Sequence, residues 1–203
     1  MYHGLARSLE GGYHSRPGLP VELVIYIFRL ADCVLPSERF TMKIDIPCRA
    51  KASSGTISNT IWFSTPPLSR EPLSRIASIQ LVTLSRDQGW CGDPSSGSWS
   101  WFEIVILRGD SQQVVKKSAV GGKDLVWISH HNPIASKQYS WLEGSIFGSD
   151  HELWKHLAEG DRIAVRACAQ YGGWCCSAME GFLKADEWFE PTLPPISIRN
   201  RET

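Results

Sequence analysis

From Phe40 onward, the apolar residues of this chain fall on alternate positions in short runs, and turn residues interrupt those runs at brief intervals. Phe40-Thr41-Met42-Lys43-Ile44-Asp45-Ile46 sets the pattern. Side chains of a strand point alternately to its two faces, so period-two hydrophobicity marks strands with one buried face. Residues 61–63, 76–84, 98–107, 125–130, 138–142, 162–169 and 178–182 are further strand candidates. After the turn signal Gly109-Asp110, residues 112–118 are expected to pair back as a hairpin. Many short strands joined by Gly, Pro and Ser turns build a sandwich or barrel. The expected fold is mainly β, an antiparallel β-sandwich of jelly-roll type over residues 40–190.

Two helices stand out against this pattern. Leu19, Leu23, Ile27 and Leu30 recur at helical spacing, and Val24 and Phe28 widen the apolar stripe. Pro20 suits a first helical turn, and Glu22 suits the positive end of the helix dipole. Residues 19–36 are therefore expected to hold a short N-terminal helix that ends before Pro36. Asp150 can cap a second helix over 151–158, with Leu153, Trp154 and Leu157 on one face and Gly160 ending it. Residues 1–18, rich in Gly, Ser, His and Arg, are expected to be a flexible lead-in, and residues 191–203 an extended tail.

Charge and cysteine usage narrow the function. Lys plus Arg equals Asp plus Glu at 21 each, a net charge of zero. A dedicated nucleic-acid binder carries a basic surplus or stripe, so no nucleic acid is expected as partner. Nor is there an electrostatic reason to sit on an anionic membrane, and no apolar stretch approaches the ~20 residues that span a bilayer. The first 18 residues lack the apolar core of a secretory leader, which points to the cytoplasm or nucleus and to reduced thiols. The cysteines Cys33, Cys48, Cys91, Cys168, Cys175 and Cys176 form no C-x-x-C pair, and His130-His131 has no regular partner spacing. No metal and no cofactor are expected.

The densest polar segment is 85–103, a loop between two strands framed by aromatics. Loops on a rigid sandwich concentrate binding residues. Arg86, Asp87 and Gln88 offer donors and acceptors there, and Trp90 offers a flat face for stacking. Asp87 and Asp93 also have a structural reading, as makers of side-chain turns beside Gly89 and Gly92. In the segment 160–176, Ile163, Val165, Ala167 and Ala169 point one way and Arg162, Ala164, Arg166 and Cys168 the other. Its loop Tyr171-Gly172-Gly173-Trp174 is expected to share a mouth with Trp90. The ligand-binding candidates are Arg86, Asp87, Gln88, Trp90 and Trp174. There is no G-x-S-x-G elbow, phosphate-cradling glycine loop or H-E-x-x-H motif, and no enzyme is expected. A sandwich that only self-associates, its N-terminal helix packed on its own core, is the other reading.

The run Leu19-Pro20-Val21-Glu22-Leu23-Val24-Ile25-Tyr26-Ile27-Phe28 resembles the opening helix of an F-box. That resemblance implies docking on a Skp1-type adaptor of a cullin ubiquitin ligase through Leu19, Pro20, Leu23, Ile27 and Phe28. An F-box continues with further helices, whereas strand-like sequence begins here near Phe40. The stretch 76–190 resembles a β-sandwich domain of fungal multidomain proteins, sometimes beside ankyrin repeats. The motifs that carry this likeness are 85–90, 98–103, 159–165 and Gly173-Trp174. That family is similar to galactose-binding-like jelly rolls. Together the two resemblances imply a recognition module for a glycan or a protein segment.

Overall fold

A computed structural model describes residues 1–13, 16–109, 114 and 125–191. The expected hairpin 112–118, apart from Val114, and the tail beyond Pro191 lie outside the described residues. The described residues form two compact units, those within 1–35 together with 187–191, and those within 36–186.

The smaller unit contains helix α1 (Tyr2–Gly11), helix α2 (Val21–Leu30) and the start of strand β1 (Val34–Pro36). The expected flexible lead-in is thus a helix over much of its length. Tyr2, Ala6 and Leu9 recur at spacings of four and three, a stripe too weak to stand out among Gly, Ser and Arg. That stripe packs with Val24, Phe28 and Phe189, and burial against the partner helix stabilises what propensity alone would leave frayed. The Phe28 and Phe189 ring centroids lie 4.7 Å apart, and Tyr2 meets Phe28 edge-on at 6.0 Å.

The larger unit is the sandwich. Its strands are β2 (Met42–Ile44), β3 (Cys48–Lys51), β4 (Ser58–Ser64), β5 (Ile76–Arg86), β6 (Ser100–Arg108), β7 (Val126–His131), β8 (Ser140–Phe147), β9 (Asp161–Ala169) and β10 (Cys175–Trp188). Two short helices interrupt them, α3 (Arg70–Arg75) and α4 (Leu153–His156). The expected helix over 151–158 is therefore shorter, and Glu152 rather than Asp150 stands at its N-cap position, without a side-chain cap hydrogen bond.

One sheet runs β1-β10-β5-β8, with β2 and β3 also paired to β10, and the other runs β4-β9-β6-β7. The antiparallel pairs are nested: β3 with β10, β4 with β9, β5 with β8 and β6 with β7. This is one long hairpin rolled over so that β6 meets β9 and β10 meets β5. The result is the connectivity of a jelly roll.

The core between the sheets is built from Ile79 and Leu81 of β5, Phe102, Ile104 and Ile106 of β6, Ile163 and Val165 of β9, and Leu183 of β10. On β9, Ile163, Val165 and Ala167, which parity places together, form the core face. The opposite face of β6 is buried as well: Val105 and Leu107 pack with Ala164, Ile61 and Val126. Alternation disappears on β6 because a strand covered on both sides has no wet face to record in its sequence.

Below one end of the core lies a polar plug. The Asn132 side chain accepts from Ser85 Oγ (2.8 Å) and donates to Ser100 Oγ (2.7 Å) and Cys176 Sγ (3.3 Å). Ser85 Oγ pairs with Thr83 Oγ1, which bonds His130 Nε2 at 2.9 Å. Such a network is stable only when each member is satisfied. Burial, then the neighbouring His131, pushes the His130 pKa down to about 4. The unfolded chain takes up this proton near pH 6.5 and the native chain only near 4, so native stability falls as pH drops through that window. His130 alone is expected to remove about 3 kcal/mol once pH is below 4. Urea unfolding at pH 7, 5.5 and 4 should show this loss in the wild type and not in His130→Gln. Identical pH slopes in the two proteins would refute it.

Candidate functional site

The pairs β3–β10, β4–β9, β5–β8 and β6–β7 are antiparallel, and their registers bring the ends of β3, β5, β7 and β9 level with the starts of β10, β8, β6 and β4. The β3–β4, β5–β6, β7–β8 and β9–β10 loops therefore gather at the end that covers the polar plug. The backbone and side chains of these loops are laced together. Ala52 N donates to Trp174 O (3.0 Å), Gly173 N to Ala52 O (3.3 Å) and Gln170 N to Trp99 O (3.0 Å). Gln170 Nε2 donates to Gly55 O at 2.7 Å, and the Trp99 ring meets Tyr171 edge-on at 4.7 Å.

The sequence-derived candidates separate into three roles. Asp87 is 1% exposed, and its carboxylate accepts from Gly89 N (2.7 Å) and Ala135 N (2.6 Å). It clamps the β5–β6 loop to the β7–β8 loop, a structural role in place of the expected exposed ligand contact, because a buried carboxylate takes the nearest backbone N–H groups and two were in reach. Gln88 also works within the protein, accepting from Cys175 N (3.2 Å) and donating to Trp90 O (2.6 Å).

Trp90 has the opposite fate. It is 60% exposed although its loop is pinned on both sides. Its six-membered ring edge rests on Gly173, where an added Cβ would stand 3.3 Å from two indole carbons. Gly173 also has φ +93°, a conformation L side chains rarely adopt, so a larger residue there would be strained as well as tight against the indole. Trp174, half-buried, adjoins this contact and holds the β3–β4 loop through its carbonyl. Tyr171, exposed and with φ +66°, stands at the tip of the same loop. Trp90 and the 171–174 loop thus meet at one end of the sandwich.

Arg86 lies at the strand end beside this mouth. Its Nη1 donates to Lys137 O (2.9 Å), and its guanidinium stacks 4.8 Å from the Tyr139 ring centroid. It lines a recess of about 190 Å³ with Pro47, Cys48, Arg49, Tyr139, Ser177 and Ala178. Sequence reasoning did not single out Arg49, Tyr139 or Ser177. The alternation Cys48, Arg49, Ala50, with the outer two buried, was the available signal for Arg49.

The helix residues assigned to adaptor docking also divide. Phe28 is 1% exposed, and Leu19 packs on the same cluster. Phe28 is therefore a core residue of the smaller unit and offers no docking surface. Pro20 is the N-cap and is exposed. Leu23 (49%) and Ile27 (40%) are exposed, together with Tyr26 and Leu30. The apolar stripe of α2 is wider than its partner can cover, so one strip turns inward and its neighbour faces water. Phe28→Ala is expected to destabilise the protein by about 3 kcal/mol through cavity formation. Leu23→Ser with Ile27→Ser should shift stability by less than about 1 kcal/mol. Thermal unfolding of both variants checks the assignment, and a reversed ranking would overturn it.

Among the His and Cys side chains that could act as base or nucleophile, Cys176 and His130 are held inside the fold, whereas His131 is exposed and Cys91 partly buried. Cys176 is wholly buried; burial pushes its thiol up to about 12, and it contacts Asn132 and Trp101 O. His130 belongs to the plug, and His131 Nδ1 contacts Ser98 O (3.1 Å). Among the described residues, no three His, Cys, Asp or Glu side chains gather as a metal ion would require.

No family model matches the chain, and no match is found among the curated proteins. Among solved structures, 76% of the chain aligns with 36% of a chain from infectious bursal disease virus strain Gx, at TM-score 0.35 and 10% identity. The carbohydrate recognition domain of Emp46p aligns over 75% of this chain and 89% of its own, at TM-score 0.33 and 8% identity. A family two carbohydrate esterase from Cellvibrio japonicus aligns over 80% of this chain and 38% of its own, at TM-score 0.26 and 10% identity. The chain thus spans about a third of the viral chain.

Proposed function

We propose that this chain is a non-enzymatic recognition module that stacks its ligand, a glycan or an extended protein segment, on the exposed face of Trp90. The observation that carries this reading is a large indole left 60% exposed on a loop fixed by Asp87, Gln88 and Gly173. A flat apolar face held rigid binds sugar rings and peptide planes with little ordering cost. Tyr171 extends the platform. The inward placement of Cys176 and His130 supports the absence of catalysis. The six cysteines are all free thiols, which fits a reducing compartment, the cytoplasm or nucleus.

Trp90→Ala is expected to weaken binding to the best ligand of a glycan and peptide array by about tenfold or more, with the melting temperature unchanged. Titration calorimetry on the two proteins makes the test. Equal affinities would remove Trp90 from the site.

A second reading has its own observation. Leu23, Tyr26, Ile27 and Leu30 leave an apolar stripe on α2 in water, and such a stripe marks a partner surface. An adaptor of the Skp1 type is the partner the F-box-like run implies, and the module would then act as a ligase receptor. Pull-down with purified adaptor, beside the Leu23→Ser, Ile27→Ser variant, tests it. Capture by both proteins, or by neither, would count against docking through this stripe.

A further inference from the structure

We propose that the recess between Arg49 and Arg86 is an oxyanion site, which receives a carboxylate or sulfate ester of an acidic saccharide whose ring lies toward Trp90. The inference rests on the platform reading and specifies its ligand class.

The recess holds about 190 Å³ and carries two guanidinium groups with no acidic residue among its lining. Neither arginine forms an ion pair within the described residues. Every other contact they make is to a neutral group. Arg86 donates to a backbone carbonyl and stacks on Tyr139; Arg49 Nε donates to Cys175 Sγ at 3.0 Å. Two like charges lining one recess repel each other, and an anion between them removes that cost.

Arg86 Nε is shielded from water, with no hydrogen-bond partner among the described residues. The guanidinium is also preoriented, pinned at Nη1 and stacked on a ring. A planar fork held this way matches the two oxygens of a carboxylate or sulfate. The Ser177 side chain lines the same wall and supplies a neutral donor. Arg86 ends β5 and Trp90 follows four positions on, so their backbones lie at most ~14 Å apart, a span that a ligand of a few sugar rings covers.

The test is calorimetry at low salt with a short oligogalacturonate, its methyl ester, a sulfated disaccharide and inorganic sulfate. The free acid is expected to bind about tenfold or more tighter than the neutral ester, which has the same shape. Tighter binding of the sulfated disaccharide would identify sulfate as the preferred anion. The preference should disappear in Arg49→Gln and in Arg86→Gln. Trp90→Ala should weaken acid and ester alike. Arg86 also ties down the 137 backbone, so Arg49→Gln, on a strand, decides the matter even if Arg86→Gln fails to fold. Equal affinity for acid and ester, or a preference that survives Arg49→Gln, would overturn the proposal. Ester and acid binding equally through Trp90 would leave the platform standing without the anion site. Inorganic sulfate binding that needs both arginines, with no saccharide bound, would leave the anion site standing without the platform.

Discussion

Asp87→Ala is expected to lower the unfolding free energy by about 4 kcal/mol and to abolish ligand binding at the Trp90 end. The carboxylate accepts from Gly89 N and Ala135 N while 1% exposed. Each hydrogen bond to a buried charge contributes about 1.5–3 kcal/mol, and alanine leaves both donors unpaired. The clamp is also the direct bond from the β5–β6 loop to the 132–139 loop, so the floor under Trp90 loosens with it. Asp87→Asn should fall between the two proteins. Its amide oxygen can serve one donor, but its NH₂ group faces the other N–H. Urea unfolding gives the energies, and hydrogen exchange at the Gly89 and Ala135 amides gives the local loosening. A loss under about 1 kcal/mol with both amides still protected would mean that the carboxylate does not hold the loops.

Arg166→Met is expected to cost about 3–5 kcal/mol, the range for breaking a buried ion pair from one side. Glu103 is 5% exposed and meets Arg166 Nη2 at 2.6 Å and Nε at 2.7 Å. Its other oxygen accepts from Trp101 Nε1 at 2.7 Å. Burial, then the Glu103 carboxylate, pushes the Cys168 thiol up, so it stays protonated and donates to Glu103 Oε2. Removing the guanidinium leaves a carboxylate on the outer face of β6 with only two weaker donors. Adding Glu103→Gln to the variant should restore more than half of the loss, because a neutral amide tolerates that site. Denaturant midpoints of wild type, both single variants and the double variant form the cycle. Full additivity would mean that the pair contributes nothing as a pair.

Both predictions concern residues whose types were conspicuous in the sequence and whose roles were not. Asp87 stood in the loop most suited to binding, with a turn-forming role as its alternative. The choice between them depended on Ala135 N, which lies 48 positions away. Parity separated Arg166 and Cys168 from Ile163 and Val165 without saying which face is inward; the face that carries them is buried too and needed a counter-charge from β6. Phe28 looked interchangeable with Leu23 and Ile27 on a helical wheel. What separates them is which strip of α2 meets α1 and Phe189.

The sequence by itself determined the class of fold. Alternation along 40–46, 76–84 and 162–169, cut by Gly, Pro and Ser, specifies strands and turns because strand geometry is local and repeats every two residues. It also marked the loops that carry Trp90 and Tyr171, since polar stretches between strands are driven to the surface. Only the tertiary structure decided how those strands nest, which strands are covered on both faces, and which helix strip is left wet. It alone brought Arg49, Arg86, Tyr139 and Ser177 around one recess. Those outcomes depend on register and on contacts between residues far apart in the chain, where burial and hydrogen-bond satisfaction, rather than local pattern, select the arrangement.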